Sequence, residues 1–122
     1  VRLTRTELAE QVGLAEAIVA ELEVQGLVWC TATGHYDEEA LAIAGIAARL
    51  AAFGVEPRHL RAFRVVADRD SGLVERIAAP QGSPRDPDAR ARAQETIREL
   101  ASLFVQLHAS LLRAQLVRGG KG

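Results

Sequence analysis

The sequence predicts an all-α fold, and three observations carry that prediction. Hydrophobic residues make up 48% of the chain, yet they are mostly Ala, Leu and Val, with aromatics at only 4%. That balance suits helices better than sheets. All four prolines, Pro57, Pro80, Pro84 and Pro87, fall where a helix would begin or a loop would lie. Apolar positions also recur every three or four residues through most of the chain, the spacing of a buried helical face. At 122 residues the chain is long enough to bury a real core.

The first helix starts at Thr4-Arg5-Thr6-Glu7, an S/T-x-x-E capping box, turns Leu3, Leu8 and Val12 inward, and stops at Gly13. A second runs from Ala15 to about Val24 with Ile18, Val19 and Leu22 inward, and stops at Gly26. Helix, glycine turn, helix is the outline of a helix-turn-helix. Leu27 to Cys30 is strand-prone, and Thr31 to His35 with Gly34 reads as a loop returning to Tyr36. A small two-strand wing is expected there.

Asp37 is placed to cap the third helix, with Glu38 and Glu39 at the positive end of its dipole. Leu41, Ile43, Ile46, Ala47, Leu50 and Phe53 form its inward series. Gly54 is the expected left-handed stop, and Glu56-Pro57 the cap and first position of a fourth helix. That helix is expected to reach Ala79 with Leu60, Phe63, Ala67, Val74 and Ile77 on its apolar side and a break or kink at Ser71-Gly72. Residues 80–87 hold three prolines and read as a loop. The last helix is expected over 88–118, and 119–122 as a disordered tail. The domain boundary expected is therefore a winged helix-turn-helix-like domain over 1–79, followed by loop and long helix.

Ala93, Ile97, Leu100, Phe104, Leu107, Leu111 and Ala114 are spaced alternately four and three apart. This heptad seam is the pattern of helices that pair along their length. Ile97, Leu100, Phe104, Leu107 and Leu111 are the candidate dimer interface, with packing on the chain's own core the competing reading.

Charge is uneven. Residues 1–40 carry a net −6 and residues 41–122 a net +5, against −1 overall. The second helix contributes Glu16, Glu21 and Glu23 and no basic residue. Such a helix opposes the electrostatic attraction on which DNA binding rests. The basic residues Arg58, Arg61, Arg64 and Arg69 are candidates for contact with phosphate, RNA polymerase or an acidic partner. Their structural alternative is pairing with the acidic front half of the chain, or with Asp68, four residues beyond Arg64.

Catalytic chemistry finds no support. His35, His59 and His108 lie on different elements, no phosphate-cradling glycine loop is present, and no nucleophile sits beside a base. One cysteine, Cys30, excludes an internal disulfide and a multi-cysteine metal site. No enzyme activity, metal or cofactor is expected. Trp29, Cys30, His35 and Tyr36 gather the chain's one Trp and one Tyr and are the candidate effector pocket; the alternative is that they anchor the wing. No unbroken apolar run approaches the roughly 20 residues of a membrane span, and no signal peptide is evident. The expectation is a cytoplasmic protein without a membrane partner.

The order of these elements resembles the MerR family of bacterial transcription regulators. The residues that carry the resemblance are the helix-turn-helix ending in QGLV and the stretch GHYDEEALAIAGIAARLAAFGVEPRHLRAF. More narrowly, FGVEPRHLRAFRVVADRDSGLVERI and ARARAQETIRELASLFVQLHASLL resemble the C-terminal half of an actinobacterial, cell-division-linked member. In that group a separate N-terminal winged helix reads DNA. The chain contains no methionine, which fits a piece whose native start lies upstream. The resemblance implies a homodimer that reaches DNA through that upstream domain, with this part as the effector or oligomerisation half. Its departure from the family is the acidic second helix.

Overall fold

A computed structural model describes residues 1–79 and 85–120. The described residues form five α-helices: α1 Arg5–Val12, α2 Glu16–Val24, α3 Glu38–Ala51, α4 Pro57–Ala78 and α5 Pro87–Gly120. They divide into two compact units, Val1–Val66 and Ala67–Gly122, with the boundary inside α4.

In the first unit, α1 packs against both α2 and α3. Leu8, Val19, Leu22, Val28 and Tyr36 are the largest fully buried side chains. Ala40, Ala44 and Ala47 supply the inner face of α3, and Leu60 closes the core from α4. Small alanines let a neighbouring backbone come close, so a core with few aromatics still fills its interior.

The helix ends follow the local sequence. Thr4 accepts from the Glu7 N–H at 3.1 Å while Glu7 accepts from the Thr4 N–H at 2.8 Å, a complete capping box. Gly13 ends α1 in the left-handed region at φ 76°. Asp37 caps α3 by accepting from the Ala40 N–H at 3.0 Å. Pro57 opens α4 as expected, but the Glu56 side chain is not its cap. The Glu56 N–H instead donates to Nδ1 of His59 at 2.9 Å, and the Glu56 carboxylate pairs with Arg58 at 2.8 Å.

Four expectations are corrected. No strand forms among the described residues, so the two-strand wing is absent; one isolated antiparallel bridge joins Leu3 to Tyr36. Tyr36 exchanges both backbone bonds with Leu3, at 2.7 and 3.0 Å, so its pairing goes to the N-terminal segment rather than to a return strand. The loop before it is held by Thr31 N–H to the His35 carbonyl at 2.8 Å and by Thr31, Thr33 and His35 side chains bonding one another. Second, α4 runs unbroken through Ser71-Gly72; Ser71 donates back to the Asp68 carbonyl at 3.1 Å, which leaves the helix intact. Third, the inward faces of α3 and α4 hold only in part. Ala47, Leu60 and Val74 are buried as expected, and Leu41, Ile43 and Leu50 pack against the core. The rest of the series, Ala67 included, is not inward. Ile46, Phe53, Phe63 and Ile77 are exposed, while Ala40, Ala44 and Ala47 on α3 and Leu60, Val74 and Ala78 on α4 are buried. Fourth, α5 carries through Gly119 and Gly120, since neither takes the positive φ that would stop it. Residues 80–84 of the expected loop and 121–122 of the expected tail lie outside the described residues.

In the second unit Val74, Ala78 and Ala89 are buried. Asp86 accepts from the Asp88 N–H at 3.0 Å and so caps α5 beside Pro87. His108 on α5 meets Asp70 on α4 at 2.7 Å.

Candidate functional site

Within the helix-turn-helix, α2 occupies the place of a reading helix. Its outer residues include Glu16, Ala17, Glu21 and Val24, none able to donate to a phosphate. Glu23 is engaged elsewhere: its carboxylate accepts from Arg5 at 3.1 Å and from the Tyr36 hydroxyl, while Arg5 Nε donates to the same hydroxyl at 3.3 Å. This triad ties the start of α1, the end of α2 and the base of the loop together. Burial, followed by the bond to Glu23, pushes the Tyr36 hydroxyl above its ordinary value of 10.0. The contact with Tyr36 likewise holds Arg5 above its ordinary value. The polar signal was present in sequence as an acid near the end of an apolar helix, but no spacing rule links Arg5, Glu23 and Tyr36.

The arginine cluster divides. Arg61 donates to the Gln25 carbonyl at 3.5 Å and Arg64 to the Gly26 carbonyl, the acceptor groups left at the C-terminal end of α2. Arg64 also lies over the Trp29 ring, its guanidinium carbon 5.3 Å from the centroid, within the reach of a cation–π contact. Arg58 pairs with Glu56, and Arg69 belongs to the second unit. So two of the four arginines fasten α4 to the end of α2, each through a backbone carbonyl there.

Gly26 is bound into this arrangement. Its φ is +79°, and an added Cβ would stand 3.1 Å from Arg64 Nη1. Gly26→Ala is expected to destabilise the chain by about 1–2 kcal/mol from the left-handed backbone alone. Denaturant unfolding reads the loss directly, and an unchanged midpoint would count against the local geometry.

The four pocket candidates do not converge. Trp29 is 63% exposed and Cys30 is exposed, whereas Tyr36 is buried in the core. A depression beside Trp29 is lined by Leu27, Val28, Asp37, Glu39, Ala40 and Ile43 and does not include Cys30, His35 or Tyr36. Its empty volume is about 170 Å³, open solvent included. Among the described residues no group of three or more His, Cys, Asp or Glu is placed to hold a metal ion.

On α5 the heptad seam is split. Ala93, Ile97, Leu100 and Phe104 are partly buried, but Leu107 and Leu111 are 54% and 52% exposed. Between Leu100 and Leu112 the helix carries no Asp, Glu, Lys or Arg. By length and composition an 18-residue stretch of α5 is apolar enough to cross a membrane, and none of it is buried. The expectation drawn from unbroken apolar runs therefore did not capture this helix.

A family model described as Rv1828-like, C-terminal domain, matches residues 1–119. The chain belongs to that family. Two relatives to which the chain is similar are the HTH-type transcriptional regulators Rv1828 of Mycobacterium tuberculosis and Mb1859 of Mycobacterium bovis. Each is 41% identical over 114 residues, covering 93% of this chain and 46% of the relative. The chain thus spans about half the length of the curated relatives it matches.

Proposed function

We propose that this Rv1828-like domain is the regulatory and self-association half of a MerR-like transcription regulator of the cell-division-linked group. DNA would be read by a domain outside this chain, and the work of this part would be to hold two such domains at a fixed spacing. A two-fold pair of readers matches a pseudo-palindromic operator by geometry, so an interface remote from DNA still governs recognition. The relatives' names support the regulatory part of the reading, and they give no support to an enzyme. A regulator of this kind works in the cytoplasm.

The observation that carries it is a contrast within one chain. The helix in the reading position is acidic, while α5 extends an uncharged, exposed apolar surface that a solitary helix in water would not maintain without cost. Pairing in trans draws on α5, from the seam of Ile97, Leu100, Phe104, Leu107 and Leu111, whose distal residues stand open. Arg58 and Arg69 are the groups through which RNA polymerase or another acidic partner would be met. An effector acting near Trp29 would act on the Arg64 stack rather than in an enclosed pocket.

The competing reading makes the same domain a second contact to promoter DNA, and the arginines of α4 are its support. Titrating the 122-residue chain into fluorescently labelled duplex DNA separates the two. Phosphate-dominated binding weakens by about a thousandfold or more between 50 and 200 mM salt when six or more phosphates are met. The proposal predicts no such salt-dependent binding at either salt concentration. Tight binding that collapses with salt would transfer the function to direct DNA contact.

A further inference from the structure

The chain's one Trp stands on the surface and is held there. Trp29 is 63% exposed, yet Arg64 lies over its ring at 5.3 Å and is itself bonded to the Gly26 carbonyl. An open Trp that is already fixed in place loses little side-chain freedom on contact, which suits it to anchor a partner. Beside it lies the depression lined by the buried Val28 and Ala40 and by Ile43. Asp37 and Glu39, both exposed, share that lining.

From the depression an apolar track follows α3. Ile43, Ile46 and Leu50 come after Glu39 at intervals of four, three and four, so all four share one face of the helix. The core takes the neighbouring face through Ala40, Ala44 and Ala47. Ile46 is therefore left 60% exposed, with Ile43 and Leu50 half-buried. Phe53, just past the helix end, is 86% exposed. The first unit thus presents an apolar track with carboxylates at one end.

We propose that this surface docks an amphipathic helix of a partner protein. The apolar face of that helix lies along Ile43, Ile46 and Leu50, and one of its Lys or Arg side chains enters the depression against Asp37 and Glu39. Docking of this kind goes beyond self-association and does not depend on it.

Charge selects the occupant. Asp37, Glu38 and Glu39 stand together at the start of α3, and three carboxylates outweigh the roughly half positive charge of the helix dipole there. Residues 1–40 carry a net −6, so the field around the depression draws cations. Asp37 uses one oxygen on the Ala40 N–H, while Glu39 has no hydrogen bond or ion pair with any described residue. A Lys or Arg matches such a lining, its aliphatic stem against Val28 and Ile43 and its charged head at the carboxylates. A helix is the matching form, because the described residues hold no strand whose edge could be extended. Residues spaced three and four apart on a second helix fit a track of the same spacing. A second copy of this chain is the poorer match, since a two-fold contact centred on the depression would set its carboxylates against their own copies.

Two Trp-free synthetic helical peptides serve as probes, each with leucines spaced three and four apart on one face. One carries Arg at both ends, and the other carries Glu in their place. Trp29 emission and the anisotropy of the labelled peptide are read together, with circular dichroism reporting the fold of each variant. The proposal predicts a saturable shift of Trp29 emission with the arginine peptide, and binding weaker by about tenfold or more with the glutamate peptide. Ile46→Ser, at an exposed position, should weaken the arginine peptide by about tenfold or more with the fold retained. Glu39→Lys should reverse the preference between the peptides, which neither general adhesion nor lost structure would do. If one variant unfolds, the other carries the test. An unmoved Trp29 emission, equal binding of the two peptides, or undiminished affinity in the folded variants overturns the proposal. So does a Trp29 shift on concentrating the chain alone with a mass that Ile46→Ser halves, which would give the surface to a second copy. The wild-type mass without peptide tests the self-association proposed above separately.

Discussion

Tyr36→Ala is expected to destabilise the first unit by about 3–5 kcal/mol, the usual cost of truncating a buried aromatic side chain. For a domain whose whole stability is on the order of 5–15 kcal/mol, that is enough to unfold much of the population at physiological temperature. The magnitude follows from what Tyr36 joins. Its ring lies in the core with Leu8, Val19 and Leu22, its backbone pairs with Leu3, and its hydroxyl bridges Arg5 and Glu23. Tyr36→Phe separates these roles, since it keeps the ring and removes only the hydroxyl. A loss of about 1–3 kcal/mol is expected, because the partly buried Glu23 carboxylate then loses a donor.

The same pair of variants carries a pH signature. Burial raises the Tyr36 hydroxyl above 10.0, so the folded chain favours the protonated phenol. The stabilisation this gives is complete below pH 10 and is lost as pH rises through the folded-state value. Wild-type melting temperature should therefore fall above pH 10 more steeply than that of Tyr36→Phe, where the titrating group is gone. Parallel alkaline branches would show that the hydroxyl is not held as described.

Leu22→Ala is the second large effect, with an expected loss of about 2–5 kcal/mol from burial and cavity terms together. Leu22 is 1% exposed and sits where α2 meets the core, so its removal leaves space that the alanines of α3 cannot fill. Urea unfolding should show a lowered midpoint with little change of slope. The exposed Val24, two residues on, is the control: Val24→Ala is expected to stay within about 0.5 kcal/mol. A comparable loss at both positions would contradict the assignment of the inward face of α2.

Much of the fold was legible because helix ends are written locally. Thr4 with Glu7, Gly13, Asp37, Gly54 and Pro57 each act within a few residues of themselves, and each marks its boundary in the structure. Faces were harder. Periodicity placed Ala47, Leu60 and Val74 inward correctly, but Ile46, Phe53, Phe63 and Ile77 from the same series are exposed, and Ala40, Ala44 and Ala78 are buried in their stead. The alanines that replaced them are ambiguous in sequence, since alanine suits either surface of a helix. The wing failed for a different reason: strand propensity over Leu27–Cys30 needs a partner strand, and Tyr36 found Leu3, more than thirty residues away in sequence.

Functional surfaces were legible only in part. The absence of basic residues from α2 is visible in the letters themselves. That Arg61 and Arg64 each reach a backbone carbonyl at the end of another helix is not. The heptad seam was evident on α5. The exposure of Leu107, Leu111, Leu112 and Leu116 along its distal half is not written in that spacing.

The most direct test of the central claim is the solution mass of the wild-type chain across a hundredfold concentration range by sedimentation. The account predicts a two-chain species that dissociates, if at all, only on dilution. A single 13.1 kDa species at every concentration would contradict it, and α5 would then need a different partner.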